Sequence, residues 1–177
     1  MNPLWALLPP LAVIPFILYF GERRANLREG SIIIAGIVLL LVNVRIYTET
    51  LAGRAPESGS FALLGTADGG AFSLAFSAEP MGVLFALLAS FLWIVTTVYA
   101  IGYMRGHHET NQTRFYTCFA IALAAVMGAA YADNLMTLFV AYETLTLCTL
   151  PLVMHSGTAK ARSAGKVYLG ILLFTSI

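Results

Sequence analysis

Five runs of mostly apolar residues follow one another along this chain, at approximately Pro3–Phe20, Ser31–Tyr47, Pro80–Met104, Phe115–Tyr131 and Leu135–Met154. A sixth begins near Lys166 and is cut off at Ile177. A helix that crosses a bilayer needs about 20 such residues. Inside hydrocarbon every backbone N–H and C=O must find its partner within the structure, so a succession of runs of this length folds as a helix bundle. The expected class is an all-α, polytopic integral membrane protein, with residues 1–177 forming one membrane domain. Composition agrees, since 11% of the residues are charged where soluble domains carry about 25%. A net charge of +1 with no basic patch of useful length gives no sign of a nucleic-acid partner. The first twenty residues lack a basic start and a small-residue cleavage site and contain Pro9, Pro10 and Pro15. They read as a retained membrane segment rather than a signal peptide.

The connections alternate in positive charge. The first holds Arg23, Arg24 and Arg28, the third Arg105 and Arg114, and the fifth Lys160 and Arg162 with Lys166 at its edge. The second offers Arg54 alone and the fourth no Lys or Arg. By the positive-inside rule the odd connections are cytoplasmic and the N-terminus is outside. Arg45, near the outer end of the second helix, can snorkel outward. Pro80 suits the first turn of the third helix, where its missing N–H costs nothing. Asp133 and Asn134 both suit the N-cap of the fifth.

The second connection contains two partly apolar runs, Phe61–Ser77, around Asp68-Gly69-Gly70. Asp-Gly and Gly-Gly favour turns with positive φ, so a β-hairpin is expected there. An isolated hairpin is marginal in water and would rest on the bundle or on a partner. The chain stops within the apolar run Tyr168–Ile177. Carbonyls of a helix ending there would lie unsatisfied in hydrocarbon, so the expectation is the N-terminal portion of a longer protein.

Glu143 carries the chemistry. It lies within "LFVAYETLTLCTLPLVMH" (Leu138–His155), a stretch with no Lys or Arg. On a helix from Leu135 to Met154 it is roughly 12 Å from one end and 16 Å from the other. A Glu side chain is too short to snorkel from that depth, and an acid there costs on the order of 2.5–3.5 kcal/mol. Such a carboxyl either takes up a proton or stays ionised beside a cation. A group able to switch between the two is a proton-transfer device. Thr146 and Thr149 follow on or near the same face, and their hydroxyls both donate and accept. The competing reading is a protonated carboxyl bonded to another helix, with a packing role only; the threonines by themselves favour packing. Pro151 lacks the N–H that would bond the Leu147 carbonyl and favours a kink.

His155, at the end of the fifth helix, can pass protons at the inner mouth because histidine changes charge near neutral pH. Capping of the helix end explains it equally well. Lys166 reads as a snorkelling anchor or, more boldly, as a cation on the proton path. His107-His108 lacks further metal ligands and reads as a solvated pair. Cys118 and Cys148 form no C-x-x-C and read as inert thiols. Asn111-Gln112-Thr113 matches a glycosylation acceptor but falls on the cytoplasmic side, and Gly102-x-x-x-Gly106 is a weak packing signal at a helix end. The sequence holds no P-loop, dinucleotide fingerprint, nucleophile–base pattern, or haem or iron–sulfur motif, so no cofactor and no metal are expected.

"FVAYETLTLCTLPLVMH" (Phe139–His155), followed after a short basic loop by "AGKVYLGILLF" (Ala164–Phe174), resembles the antiporter-like membrane subunits. These are shared by Mrp-type multisubunit cation/proton antiporters, respiratory complex I and membrane-bound hydrogenases. "LAFSAEPMGVLFALLASFLWIVTTVYAIGYM" (Leu74–Met104) is similar to the family's third helix and its lead-in. The "YE-x-LTL" and "PLV-x-H" elements look closest to the D-type subunit of Mrp antiporters and the hydrogenase-like branch. The resemblance implies a bundle of about fourteen helices with inverted repeats and broken helices. It also implies a cytoplasmic membrane of a bacterium or archaeon. Glu143 matches the family's fifth-helix glutamate, which pairs with a lysine on the seventh helix, beyond Ile177. Glu79 stands where many relatives carry an aspartate. The implied function is a proton-translocating subunit of a Mrp-like monovalent cation/proton antiporter. Its partners would be other membrane subunits, protons and Na+ or another monovalent cation. Its proton-transfer residues would be Glu143, Thr146, His155 and Lys166. The alternative is a proton-pumping membrane-arm subunit of a redox complex, or a subunit of an inorganic-carbon uptake complex.

Overall fold

A computed structural model describes residues 2–53, 57–64, 72–155 and 158–176. A 3-10 turn, Pro3–Ala6, leads into helix α1 (Leu8–Phe20), and together they form the first apolar span. There follow α2 (Ala25–Leu51), strands β1 (Glu57–Leu64) and β2 (Phe72–Ser77), then α3 (Pro80–Gly106), α4 (Gln112–Ala130), α5 (Leu135–Val153) and α6 (Ala159–Ser176). Five of these spans are long and apolar enough to cross a membrane, and the protein is an integral membrane protein.

Two boundaries depart from the sequence reading, for one physical reason. Helix α2 starts at Ala25, so Arg28 lies in its first turn and not in the first connection. Helix α6 starts at Ala159, so most of the fifth connection is helical and Lys166 lies about two turns inside the helix. Hydropathy marks where a helix enters hydrocarbon, whereas hydrogen bonding lets it continue into the polar region beyond.

The inward face of α3 follows a spacing of three and four residues: Val83, Ala86, Ser90, Trp93, Thr97, Ala100 and Met104 are all buried. That stripe packs against Ile32, Ala35, Leu39 and Ile46 of α2, while Leu123 and Met127 of α4 join the same core. The opposite face, with Leu84, Phe85, Leu88, Phe91 and Val95, is exposed and apolar, as suits a surface against lipid tails. Glycine permits the tightest contacts. A Cβ on Gly82 would run into the Ala130 carbonyl oxygen, and one on Gly36 would lie 2.9 Å from Ile94 Cγ1.

The strands pair antiparallel, from Glu57 opposite Ser77 to Leu64 opposite Phe72. The expected turn at Asp68-Gly69-Gly70 lies outside the described residues. The ladder rests on the bundle: Ser77 N–H donates to the Tyr131 carbonyl (2.9 Å) and Asp133 N–H to the Ala75 carbonyl (2.9 Å). Asn134, not Asp133, caps α5. Its side-chain oxygen accepts from Thr137 N–H (2.7 Å), and its amide donates to the Ser73 carbonyl (2.7 Å). One residue thus starts a helix and docks the ladder.

Candidate proton-transfer site

Glu143 lies in the middle of α5, about 12 Å from Leu135 and 15 Å from Val153 along the axis. The side chain is half-buried, and its Oε1 is enclosed without a hydrogen-bond partner among the described residues. A carboxyl oxygen left so is costly in an apolar setting unless a proton or a polar partner completes it. Thr146, one turn on, is buried. The Thr149 hydroxyl donates to the Thr146 carbonyl (2.9 Å) and lies 3.4 Å from the Tyr168 hydroxyl of α6. Tyr168 was not singled out in the sequence, because a tyrosine in an apolar run carries no signal of its own.

His155 sits in the turn after α5. Its ring is largely enclosed, stands edge-on to Phe115 at 5.8 Å, and has no hydrogen-bond partner at either nitrogen among the described residues. Among the described residues, a carboxylate oxygen, Glu109 Oε2, lies 4.0 Å from Nε2. That separation permits attraction but exceeds a hydrogen bond. Lys166 is exposed on α6, and the structure does not bring it to Glu143. Its neighbour Gly165 packs on Met154 and Leu150, while Tyr168 meets Thr149. Glu143 is six residues, roughly 9 Å, beyond Thr149 on α5. Glu143, Thr146 and Thr149 therefore share one helix, His155 lies in the turn after it, and Lys166 stays exposed on α6.

Two buried polar clusters went unread in the sequence. At the basic end Arg28 is fully enclosed. Its Nη1 donates to the Gly21 carbonyl (3.1 Å), Glu22 Oε2 (3.2 Å) and Thr113 Oγ1 (3.1 Å). Its Nη2 donates to Gln112 Oε1 (2.7 Å) and Glu29 Oε1 (3.5 Å), and the guanidinium lies over the Tyr116 ring at 5.1 Å. Glu29, also buried, takes two bonds from Arg105, which further binds Asn26. Two arginines and two glutamates thus balance one another where α2, α3 and α4 meet. Partial burial pushes the Glu22 carboxyl up, but bonds from Thr113 and Arg28 outweigh it and hold the group below its ordinary value.

At the other end Asn43 of α2 is fully buried. Its amide donates to the Ala86 carbonyl of α3 (3.3 Å) and faces Met127 Sδ (3.6 Å), and its oxygen accepts from the Tyr131 hydroxyl (2.7 Å). A lone Asn inside an apolar run was the available signal, since such a group needs a partner in another helix. The first, third and fifth connections converge at the end that holds Arg28, Arg105 and His155. The ladder and the α4–α5 turn meet at the opposite end.

No family model matches the chain. It is 25% identical over 175 residues to the D subunit of a probable K(+)/H(+) antiporter of Rhizobium meliloti, covering 96% of this chain and 31% of that protein. It is 28% identical over 93 residues to the L subunit of the F(420)H(2) dehydrogenase of Methanosarcina mazei, covering 51% and 14%. It is 24% identical over 156 residues to the chloroplastic NAD(P)H-quinone oxidoreductase subunit 5 of Chaetosphaeridium globosum, covering 83% and 23%. The chain spans about a third or less of the length of the curated relatives it matches. The chain is thus similar in sequence to a subunit of a probable cation/proton antiporter and to subunits of two redox complexes.

Proposed function

We propose that this chain is the proton-translocating part of a subunit in a multisubunit monovalent cation/proton antiporter of Mrp-like type, with Glu143 as its proton site. The observation that carries the reading is the Glu143 carboxyl, halfway along α5 with one oxygen enclosed and unpartnered among the described residues. Protonation leaves a neutral acid that hydrocarbon tolerates. Release leaves a carboxylate that must find a cation, here the lysine that the family resemblance assigns to the seventh helix. Movement of a proton on and off Glu143 is thereby tied to movement of charge. Thr146, Thr149 and Tyr168 line the way from Glu143 toward His155, and Lys166 supplies positive charge beside the mouth. The arginine-rich end is cytoplasmic under the positive-inside rule. The bundle belongs to a larger inverted-repeat fold of about fourteen helices, with other membrane subunits as neighbours.

A membrane-arm subunit of a redox-driven proton pump is the second reading, favoured by the two redox-complex relatives. The antiporter relative is preferred because its similarity runs along 96% of this chain. The test is Glu143→Gln in everted vesicles carrying the complete complex. A proton gradient is imposed, and its collapse on addition of KCl or NaCl is followed with a pH-sensitive dye. The variant is expected to assemble and lose coupled exchange. If neither cation collapses the gradient in the wild type, the redox-driven reading takes its place.

A further inference from the structure

The basic end of the molecule holds an arrangement that this reading leaves unexplained. The loop between α3 and α4 carries Glu109, flanked by His108 and Asn111 with φ of 52° and 58°. Left-handed conformations in residues other than glycine persist where surrounding bonds hold them. Those bonds are present. Glu109 N–H donates to the Met104 carbonyl (3.1 Å), and the Glu109 carbonyl accepts from Gln112 Nε2 (3.1 Å). The other end of the Gln112 amide accepts from the buried Arg28 (2.7 Å). The Glu109 backbone is thus pinned through Gln112 to the ion cluster. Its carboxylate, one-third exposed, extends toward His155 at the foot of α5.

The His155 ring is largely enclosed, and both of its nitrogens are buried. Glu109 faces it from the α3–α4 loop, 4.0 Å from Nε2. From α4, Phe115 covers the ring and Arg114 donates to the His155 carbonyl (3.4 Å), holding the backbone and leaving both ring nitrogens unpartnered among the described residues. From α6, Lys160 and Lys166 are exposed, and the side chain of Arg162 lies outside the described residues. Glu109 is therefore the acid placed to exchange a proton with His155. A side-chain rotation of about 1 Å closes the gap to hydrogen-bond length.

We infer that Glu109 and His155 form the proton-exchange pair at the cytoplasmic mouth of the Glu143 path, with Arg28 and Gln112 as the positioning residues that hold Glu109 in place. This rests on the function proposed above. The step moves one proton from His155 Nε2 to Glu109 Oε2. Imidazolium and carboxylate become neutral imidazole and carboxylic acid, and no other bond changes. The carboxyl, open to water on one side, then releases the proton. An ordinary surface ion pair at this distance would add little stability and leave transport untouched.

The test is the pH profile of KCl- and NaCl-driven exchange in everted vesicles of the complete complex, between about pH 6 and about pH 9. Glu109→Gln removes the acceptor of the His155 proton, so the profile is displaced from that of the wild type by about half a unit or more. In a His155→Gln background the same substitution produces no further shift. Gln112→Leu, which frees the loop without touching either charge, moves the profile in the same direction by less. Glu143→Gln is run alongside. A Glu109→Gln profile superimposed on the wild type, with exchange lost in Glu143→Gln, overturns this inference and leaves the proposed function standing. Exchange that survives Glu143→Gln overturns the proposed function and the premise used here with it. Should Glu109→Gln fail to reach the membrane, Glu109→Asp keeps the charge but widens the gap. It is expected to shift the profile the same way, and an unshifted profile overturns the pair.

Discussion

Replacement of Arg28 by Met removes a fully enclosed guanidinium and leaves five acceptors to be accounted for. Glu22 is 54% exposed and regains water. Glu29 keeps both bonds from Arg105. The Gly21 carbonyl, Thr113 Oγ1 and Gln112 Oε1 lose a charged donor in partly buried positions. Each loss costs about 1–3 kcal/mol. Against this, the guanidinium no longer has to be desolvated, a term of several kcal/mol in the opposite direction. The net expectation is a destabilisation of about 2–4 kcal/mol, the same order as removal of one partner from a buried pair. At about 2–4 °C per kcal/mol for a chain of this size, the midpoint falls by roughly 4–16 °C. Both cysteines are free and half-buried, so a thiol-reactive fluorophore that labels Cys118 and Cys148 on unfolding reads the transition. Arg28→Lys falls between the two, because one ammonium cannot span acceptors that a planar fork reaches from two sides. A midpoint for Arg28→Met at or above the wild type would mean that desolvation of the guanidinium outweighs its bonds, the opposite of the expected balance.

Three other outcomes follow from the same contacts. Gly82→Ala drives a Cβ into the Ala130 carbonyl. Helices α3 and α4 must separate, and the thermal midpoint falls, whereas Gly102→Ala, with open space at its Cβ inside α3, holds or slightly raises it. Asn134→Ala removes the α5 cap, worth about 1 kcal/mol, together with the bond to the Ser73 carbonyl. It therefore speeds protease cutting in the ladder, while Asp133→Ala does not. Glu22 is held below its ordinary value by Thr113 and Arg28, so its contribution is complete above the unfolded carboxylate value and is lost as pH falls through the folded one. Glu22→Gln accordingly flattens the acid limb of the midpoint-against-pH curve and leaves the alkaline limb in place.

The spans were legible because a bilayer imposes one length and forbids unpaired backbone groups, so α3 and α5 begin where Pro80 and Asn134 say they should. The alternation of basic connections was legible too, and their convergence follows from chain reversal at each helix end. The partners of the charges were not. Arg28 reads as one more loop arginine until Glu22, Gln112 and Thr113 close around it, and the Glu29–Arg105 pair joins residues 76 positions apart. Hydropathy treats such residues as solvated, and in this fold their mutual neutralisation allows α2 to continue beyond the apolar run. Asn43 and Tyr131 were hidden for the same reason, as their bond spans 88 positions. At the candidate site, the depth of Glu143 follows from counting residues along α5. The neighbours of His155 do not, since Glu109 and Phe115 reach it from a different connection and a different helix.

The proposed role of Glu143 as proton carrier is open to direct measurement. The direct measurement is cation-driven collapse of a proton gradient in everted vesicles bearing Glu143→Gln, at wild-type levels of assembled complex. KCl and NaCl are expected to leave the gradient standing in the variant while collapsing it in the wild type. Exchange at the wild-type rate in Glu143→Gln would contradict that role and leave the α5 carboxyl a packing group.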